Sequence, residues 1–272
     1  AKGGSGATLL AANVAHVMAK KLRQSTALVD MDIQFGTLGL NLDIHPKMGI
    51  VEVLEYTDQL DAVALKAYMV NHESGVHVLA TRLNNVALPR EIDIGRLNRL
   101  LTTLQSTFDH TVVDLPRQID LPTTTVLERA DHVVITTQQG LSHLRDTKRL
   151  YGILHDEVGI DRERLLVVVN RYDAKAAITL DDIRKMLQDI PIELVPNDYK
   201  RVSENINLGI PLYSQSRSAP ISKAVVQLAG RLSNQDMTVK KQSLLSRMIG
   251  RTSRSCVSSY QLTPWRLSDR IR

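Results

Sequence analysis

Lys2-Gly3-Gly4-Ser5-Gly6-Ala7-Thr8 opens the chain and leads directly into an Ala- and Leu-rich helical pattern. Glycines let the backbone fold tightly with its N–H groups pointing inward, and the start of a helix adds positive dipole. A loop of this kind can hold a phosphate chain through the backbone of residues 3–8, while the hydroxyl of Thr8 suits Mg²⁺. The alternative is a glycine-rich turn between strand and helix that binds nothing.

One residue of this loop departs from the standard phosphate-binding pattern. There, the residue before the Ser or Thr is a lysine that contacts the β- and γ-phosphates. This chain has Ala7 at that place, so one cation is missing, and a second lysine, Lys2, stands before the double glycine.

The rest of the chain alternates short β-branched runs with stretches of helical periodicity, which predicts an α/β fold. We expect a doubly wound, mostly parallel sheet with helices on both faces. The predicted strands are Thr26–Asp30, Val76–Ala80, Thr111–Asp114, His132–Thr136, Leu165–Asn170 and Ile192–Val195.

Charge and composition divide the chain into a domain over residues 1–232 and a tail over 233–272. The net charge is +5, but Met237–Arg272 holds two Lys and six Arg against one acid, a net +7, which leaves −2 for residues 1–236. The body of the protein is therefore not basic, which disfavours nucleic acid as its partner. A single cysteine, Cys256, excludes a disulfide framework and fits a reducing cytoplasm.

Three carboxylates follow predicted strands. Asp30 and Asp32 end the first strand, and Asp114 ends the third, at the sheet edge where ligands bind in doubly wound folds. Buried carboxylates are costly without a cation or hydrogen-bond donors, so a Mg²⁺ site fits, whereas a pair of solvated loop acids is the alternative for Asp30 and Asp32.

An amide ends a later strand, at Asn170 in Leu166-Val167-Val168-Val169-Asn170-Arg171. This side chain can donate to and accept from a purine edge, or it can cap the following turn. The residues alone leave both roles open.

The segment from Lys2 to Thr8 resembles the deviant Walker A motif of the MinD/ParA ATPases, and its form with Ala7 looks like that of CpaE/TadZ-type proteins. The resemblance continues through Val29–Gly36 and Leu115-Pro116-Arg117 to about Leu232. It implies that Lys2 reaches the phosphates of a partner subunit, that Asp32 orients the attacking water, and that Asp30 and Asp114 support Mg²⁺ with Thr8.

The same resemblance places an adenine base between Asn170 and the segment Pro196-Asn197-Asp198. It implies a cytoplasmic protein that binds ATP or ADP with Mg²⁺, dimerises across the nucleotide and assists Flp/Tad-type pilus or secretion assembly. With Ala7, we expect hydrolysis of ATP to be slow or absent, because a donor to the transferred phosphoryl group is missing. The alternatives are a MinD-like ATPase that places the division site and a ParA-like partitioning ATPase that binds DNA.

Two further expectations concern the ends of the sequence. Residues 239–251 read as a short basic amphipathic helix, which suits peripheral binding to the inner face of the cell membrane; the alternatives are a helix packed on the domain and a solvated tail. Phosphate-binding loops follow a strand, and nothing precedes Ala1 here. We therefore expect a gap in the sheet and a natural protein that extends further toward its N-terminus, in the CpaE group with a receiver-like domain.

Overall fold

A computed structural model describes residues 3–82, 87–188 and 190–234. Its strands are β1 (Thr26–Asp30), β2 (Val70–Asn71), β3 (Val76–Leu79), β4 (His110–Asp114), β5 (Val133–Gln138), β6 (Leu165–Tyr172) and β7 (Ile192–Pro196). Its α-helices are α1 (Ala7–Lys20), α2 (Leu38–Asn41), α3 (Ile50–Glu55), α4 (Ala62–Tyr68), α5 (Ile94–Thr107), α6 (Leu121–Arg129), α7 (Leu141–Gly152), α8 (Leu180–Leu187), α9 (Tyr199–Leu208), α10 (Leu212–Gln215) and α11 (Pro220–Leu232).

The strands form two sheets, in the orders β2-β3-β1-β4 and β5-β6-β7. Every neighbouring pair is parallel except β2 and β3, which run antiparallel. Together with the helices on both faces, this confirms the predicted doubly wound, mostly parallel α/β fold. The sequence missed β2, because two residues are too few for a periodic pattern to show.

Side chains of the central strands alternate between two helical layers, as the pleat of a strand requires. In β6, Leu166 and Val168 pack in a cluster with residues of α1 and α11, whereas Val167 and Val169 pack in a second cluster with residues of α7 and α8. Burial on both faces explains why these strands read as unbroken apolar runs rather than as an alternating pattern.

Two strand ends differ from the sequence prediction in a way that matters for the site. Strand β5 continues past the predicted Thr136 to Gln138, and β6 continues past Asn170 to Tyr172. Both strands therefore carry polar residues at their carboxyl ends, next to the glycine loop.

A gap separates the two sheets. Within the described residues, β4 and β5 are edge strands that pair with β1 and β6 only, and both line one open cavity of about 1350 Å³. Apolar side chains of the surrounding helices, such as Val14, Leu104 and Leu228, line it too. The expected gap is thus present, and its lining is mixed, because charged side chains such as Asp114 and Arg117 stand beside the apolar ones.

Two predicted features lie outside the described residues, namely Lys2 and the amphipathic helix at 239–251. The last described helix, α11, ends at Leu232, and the division into a domain and a tail at that residue stays a prediction. None of the helices in the described ranges combines the length and the apolar character needed to cross a bilayer.

Candidate functional site

The glycine loop enters α1 through two residues with left-handed backbone. Gly4 has φ 78° and Gly6 has φ 91°, a region that glycine adopts without strain. Gly6 is the N-cap of α1, and no side chain caps this helix end. The first N–H groups of α1 therefore lack a side-chain acceptor from the cap, as an anion-binding helix start requires. Ala7, exposed at the first helical position, presents a methyl group where the standard loop has its lysine.

Two amide side chains hold this loop from the neighbouring sheet. Gln138 Nε2 donates a hydrogen bond of 2.9 Å to the carbonyl of Gly4, and Asn170 Nδ2 donates one of 2.9 Å to the carbonyl of Ser5. Sequence reasoning missed Gln138, since the predicted strand stopped at Thr136. A usable signal was present, because an amide follows a run of β-branched residues in each of the two strands.

The acidic side of the site is built by β1 and β4, which run in register so that Asp30 lies beside Asp114. Asp30 is fully buried and Asp114 is 6% exposed. Asp30 accepts hydrogen bonds from the backbone N–H groups of Asp32 (3.0 Å) and Leu38 (3.4 Å). The burial of Asp30 argues against the alternative of a solvated loop acid for this residue.

Burial controls the titration of both carboxylates. It raises the pKa of Asp30 to about 7, with a further rise from the neighbouring Asp114, while the two backbone hydrogen bonds oppose the change. Burial also raises the pKa of Asp114 to about 6, against the effect of a hydrogen bond with the Thr8 side chain. The fold thus holds two carboxylates where their charged forms are disfavoured.

Asp32 lies just beyond the strand, in the loop that follows β1. Its Oδ1 accepts a hydrogen bond of 3.0 Å from the N–H of Phe35, and the residue is half-buried. It lines the same cavity as the glycine loop, Thr8 and Asp114. The structure therefore brings together Thr8, Asp30, Asp32 and Asp114, the group to which the resemblance gives metal and water.

These residues fit a divalent cation. Within the described residues, none of the three carboxylates takes part in an ion pair, so no Lys or Arg in those ranges compensates their charge. The described ranges contain no group of three or more His, Cys, Asp or Glu side chains placed to hold a metal by themselves. Mg²⁺ typically takes one or two carboxylates or a hydroxyl, and completes its shell with water and substrate phosphates, which matches this set.

The predicted base-binding residues are less closely grouped. Asn170 is buried under the loop and its Oδ1 accepts a hydrogen bond from the N–H of Arg171. Pro196 ends β7, and the Asn197 N–H donates to the carbonyl of Tyr172. Asp198 caps α9 and pairs with Arg201 at 2.6 Å. None of the four predicted residues Asn170, Pro196, Asn197 and Asp198 lines the cavity at the loop.

Comparison with known proteins places this arrangement in a family. A family model described as AAA domain matches residues 1–156. The septum site-determining protein MinD of Thermotoga maritima is 28% identical over 241 residues, which cover 85% of this chain and 84% of that protein.

Solved structures agree. A ParA family ATPase from Chlorobium tepidum superimposes with a TM-score of 0.75 at 25% identity, covering 84% of this chain and 95% of that one. MinD from Pyrococcus horikoshii, solved with Mg-ADP, superimposes with a TM-score of 0.68 at 22% identity, covering 85% and 92%, and so shares the fold. The family model spans more than half of the 272 residues; the chain therefore belongs to the AAA domain family, as a P-loop ATPase of the MinD/ParA type.

Proposed function

We propose that this protein binds ATP and Mg²⁺ at the glycine loop, dimerises face to face across the nucleotide, and serves as a localisation or assembly factor for Flp/Tad-type pilus or secretion machinery. Hydrolysis of ATP to ADP and phosphate is slow or absent. The protein acts in the cytoplasm, and residues 239–251 provide a peripheral contact with the inner face of the cell membrane.

The observation that carries this proposal is that the residues suited to Mg²⁺ lie together, whereas the lysine that contacts the phosphates in the standard loop is replaced by Ala7. Thr8 is hydrogen-bonded to Asp114, and Asp30 lies beside it, as a Mg²⁺-nucleotide site needs. Ala7, one residue before Thr8, supplies no charge to the phosphates. Nucleotide can then be held by backbone N–H groups and Mg²⁺, while the transition state lacks a cation that stabilises it.

Each residue of the site has a defined task in this proposal. Backbone N–H groups of residues 3–8 hold the phosphates, and Thr8, Asp30 and Asp114 hold Mg²⁺, which neutralises phosphate charge when bound. The carboxylate of Asp32 accepts one hydrogen bond from the Phe35 N–H, and its remaining lone pairs orient a water molecule. Lys2 reaches the phosphates of the partner subunit, and Pro196, Asn197 and Asp198 surround the adenine; the resemblance to MinD/ParA proteins also assigns Asn170 to the base.

The assignment to pilus or secretion machinery is supported by three stretches of sequence. These are the loop with Ala7, the segment Val29–Gly36 after β1, and Leu115-Pro116-Arg117 after β4, all of which resemble the CpaE/TadZ group. Deletion of the gene in its host tests it: loss of surface pili with normal septum placement supports the assignment.

Two other functions remain open to the same family. The identity with MinD of Thermotoga maritima favours placement of the division site, and minicells on deletion would support it. The likeness to a ParA family ATPase favours DNA partitioning, but the net charge of −2 over residues 1–236 disfavours it. A salt-dependent shift of DNA in a gel would support that function instead.

The central experiment compares the wild type with Ala7→Lys and with Ala7→Met, which has similar length and no charge. We expect Ala7→Lys to raise the ATPase rate about tenfold or more, because a cation returns to the phosphoryl group, and Ala7→Met to leave it low. Equal rates for the wild type and Ala7→Lys contradict the proposal. Calorimetry with ATP and ADP, and gel filtration in each state, should show binding of both and a dimer with ATP only.

A further inference from the structure

Gln138 and Asn170 occupy paired positions on two neighbouring strands and contact consecutive peptide groups of the glycine loop. The register of β5 and β6 places Gln138 directly beside Asn170. Their side-chain amides donate to the carbonyls of Gly4 and Ser5, each at 2.9 Å. One pair of strand ends therefore holds two successive carbonyls of the loop.

The orientation of the Asn170 amide is set from its other side. Its Oδ1 accepts a hydrogen bond of 2.9 Å from the Arg171 N–H, so the NH₂ group must face Ser5. Arg171 adopts φ 54°, an uncommon backbone for a residue with a side chain, and this conformation follows directly after Asn170. Asn170 itself is 3% exposed, so its hydrogen bonds are protected from water.

The loop lies against this amide at backbone distance. A Cβ placed on Gly6 would come within 2.4 Å of Asn170 Nδ2, which is far inside van der Waals contact. Only glycine can follow Ser5 while Asn170 is in place. The side chain of Asn170 thus forms the floor of the loop.

Anchoring a carbonyl also aims the N–H group of the same peptide unit. A trans peptide is planar and its C=O and N–H point in opposite directions. Holding the Gly4 carbonyl toward Gln138 therefore turns the Ser5 N–H away from the strand ends, and holding the Ser5 carbonyl toward Asn170 does the same for the Gly6 N–H. Two donors are fixed in direction before any anion arrives, at a loop in which Ala7 contributes no cation.

We propose that Gln138 and Asn170 are positioning residues that preset the glycine loop for a phosphate chain, and that Asn170 acts through the loop rather than by reading the base. This inference rests on the proposed function, since it needs a nucleotide phosphate at the loop. It differs from the adenine-binding role assigned to Asn170 by resemblance, and the two roles predict different results.

The deciding experiment measures affinity for two ligands, Mg-ATP and Mg-tripolyphosphate, which carries phosphates and no base. The variants are Asn170→Leu and Gln138→Met, which remove the donors without adding charge. We expect each variant to lower the affinity for both ligands by a similar factor, about tenfold or more, because the loop loses an anchoring hydrogen bond. Loss of ATP affinity with unchanged tripolyphosphate affinity overturns the proposal and makes Asn170 a base-reading residue.

A matched control is available at the next residue. Gln139 donates to the carbonyl of Ile178 and accepts from the Asp173 N–H, so it anchors a different loop with the same chemical group. Gln139→Met should leave both affinities unchanged. If it lowers them as much as Gln138→Met does, the effect is one of general stability and the proposal fails.

A spectroscopic measurement separates positioning from misfolding. In the wild type, the backbone amide resonances of Ser5 and Gly6 should shift on addition of Mg-tripolyphosphate; in a folded Asn170→Leu protein they should shift little at the same concentration. Equal shifts in both proteins overturn the proposal. If Asn170→Leu does not fold, Gln138→Met supplies the same comparison, because Gln138 is only half-buried and its replacement disturbs the core less. A folded wild type that binds neither ligand contradicts the proposed function itself, which is a distinguishable result.

Discussion

The carboxylates of Asp30 and Asp114 lie side by side at the ends of two neighbouring parallel strands, with 0% and 6% of each residue exposed. Like charges on adjacent positions of neighbouring strands repel each other, and burial removes the water that would otherwise stabilise the charged carboxylates. Both effects raise the pKa of Asp30, and burial does the same for Asp114. The ionised carboxylates therefore destabilise the folded protein at the place where Mg²⁺ is proposed to bind.

Replacing Asp114 with Asn should stabilise the protein without nucleotide. A carboxyl group with a raised pKa costs stability above that pKa, here about 6, and the cost disappears as the pH falls toward 3.8. At pH 7 the variant should gain about 1–3 kcal/mol in the free energy of unfolding, measured with urea in EDTA. The same variant should lose the stabilisation that Mg-ATP gives the wild type. A less stable variant, or one still stabilised by Mg-ATP, contradicts this account.

Gly6→Ala should abolish nucleotide binding, whereas Gly3→Ala should preserve most of it. A Cβ at Gly6 meets Asn170 Nδ2 at 2.4 Å and sits on a residue with φ 91°, while a Cβ at Gly3 meets nothing within 4 Å. The left-handed backbone alone costs about 1–2 kcal/mol with a side chain. Calorimetry with Mg-ATP on both variants checks this, and equal affinities would show that the loop tolerates displacement from Asn170.

Protonation of His16 on α1 should oppose folding as the pH falls. This histidine is 1% exposed, its Nε2 lies 3.0 Å from Ser214 Oγ, and the His72 ring centroid lies 6.3 Å away. Burial, then the charges of His72 and Lys20, lowers the pKa of His16 to about 4. The unfolded chain binds the proton more tightly, so the contribution of His16 to stability falls as the pH drops from 6.5 toward 4, by about 2 kcal/mol between pH 7 and pH 5, opposite in sign to the contributions of Asp30 and Asp114.

His16→Gln should remove this part of the pH dependence, with His45→Gln, at an exposed position, as the control. The quantity to compare is the difference in urea midpoint between pH 7 and pH 5, since packing changes affect both values equally. Unchanged pH dependence in His16→Gln would place the acid-sensitive group elsewhere.

The cavity between β4 and β5 predicts that an added strand stabilises the fold. A six-residue segment of Val and Ile fused to the protein through a flexible linker should pair with both strand edges and raise the thermal midpoint, because each large apolar side chain buried contributes roughly 1.5–3 kcal/mol. A segment of the same length with alternating Pro cannot donate along both edges and should have no effect. Equal midpoints for the two fusions would show that the cavity does not accept a strand.

The sequence predicts the grouping of the acids better than the contacts of the amides. Asp30 and Asp114 could be placed together because carboxyl ends of parallel strands share one edge of a sheet. The contact of Asn170 with Ser5 joins residues 165 positions apart, and local periodicity carries no information on such a contact. Asp198 was assigned to the base pocket, although its spacing from Arg201 also suits the helix cap and ion pair that the structure contains.

The residues of the candidate site come from both sheets. The anchors of the glycine loop stand on β5 and β6 in one sheet, whereas the buried acids stand on β1 and β4 in the other. Thr8, in the first turn of α1, connects the halves through its hydrogen bond with Asp114. The alignment of phosphate and metal therefore depends on the distance between the two sheets. Filling the cavity with a strand should raise the affinity for nucleotide without changing any residue that contacts the nucleotide.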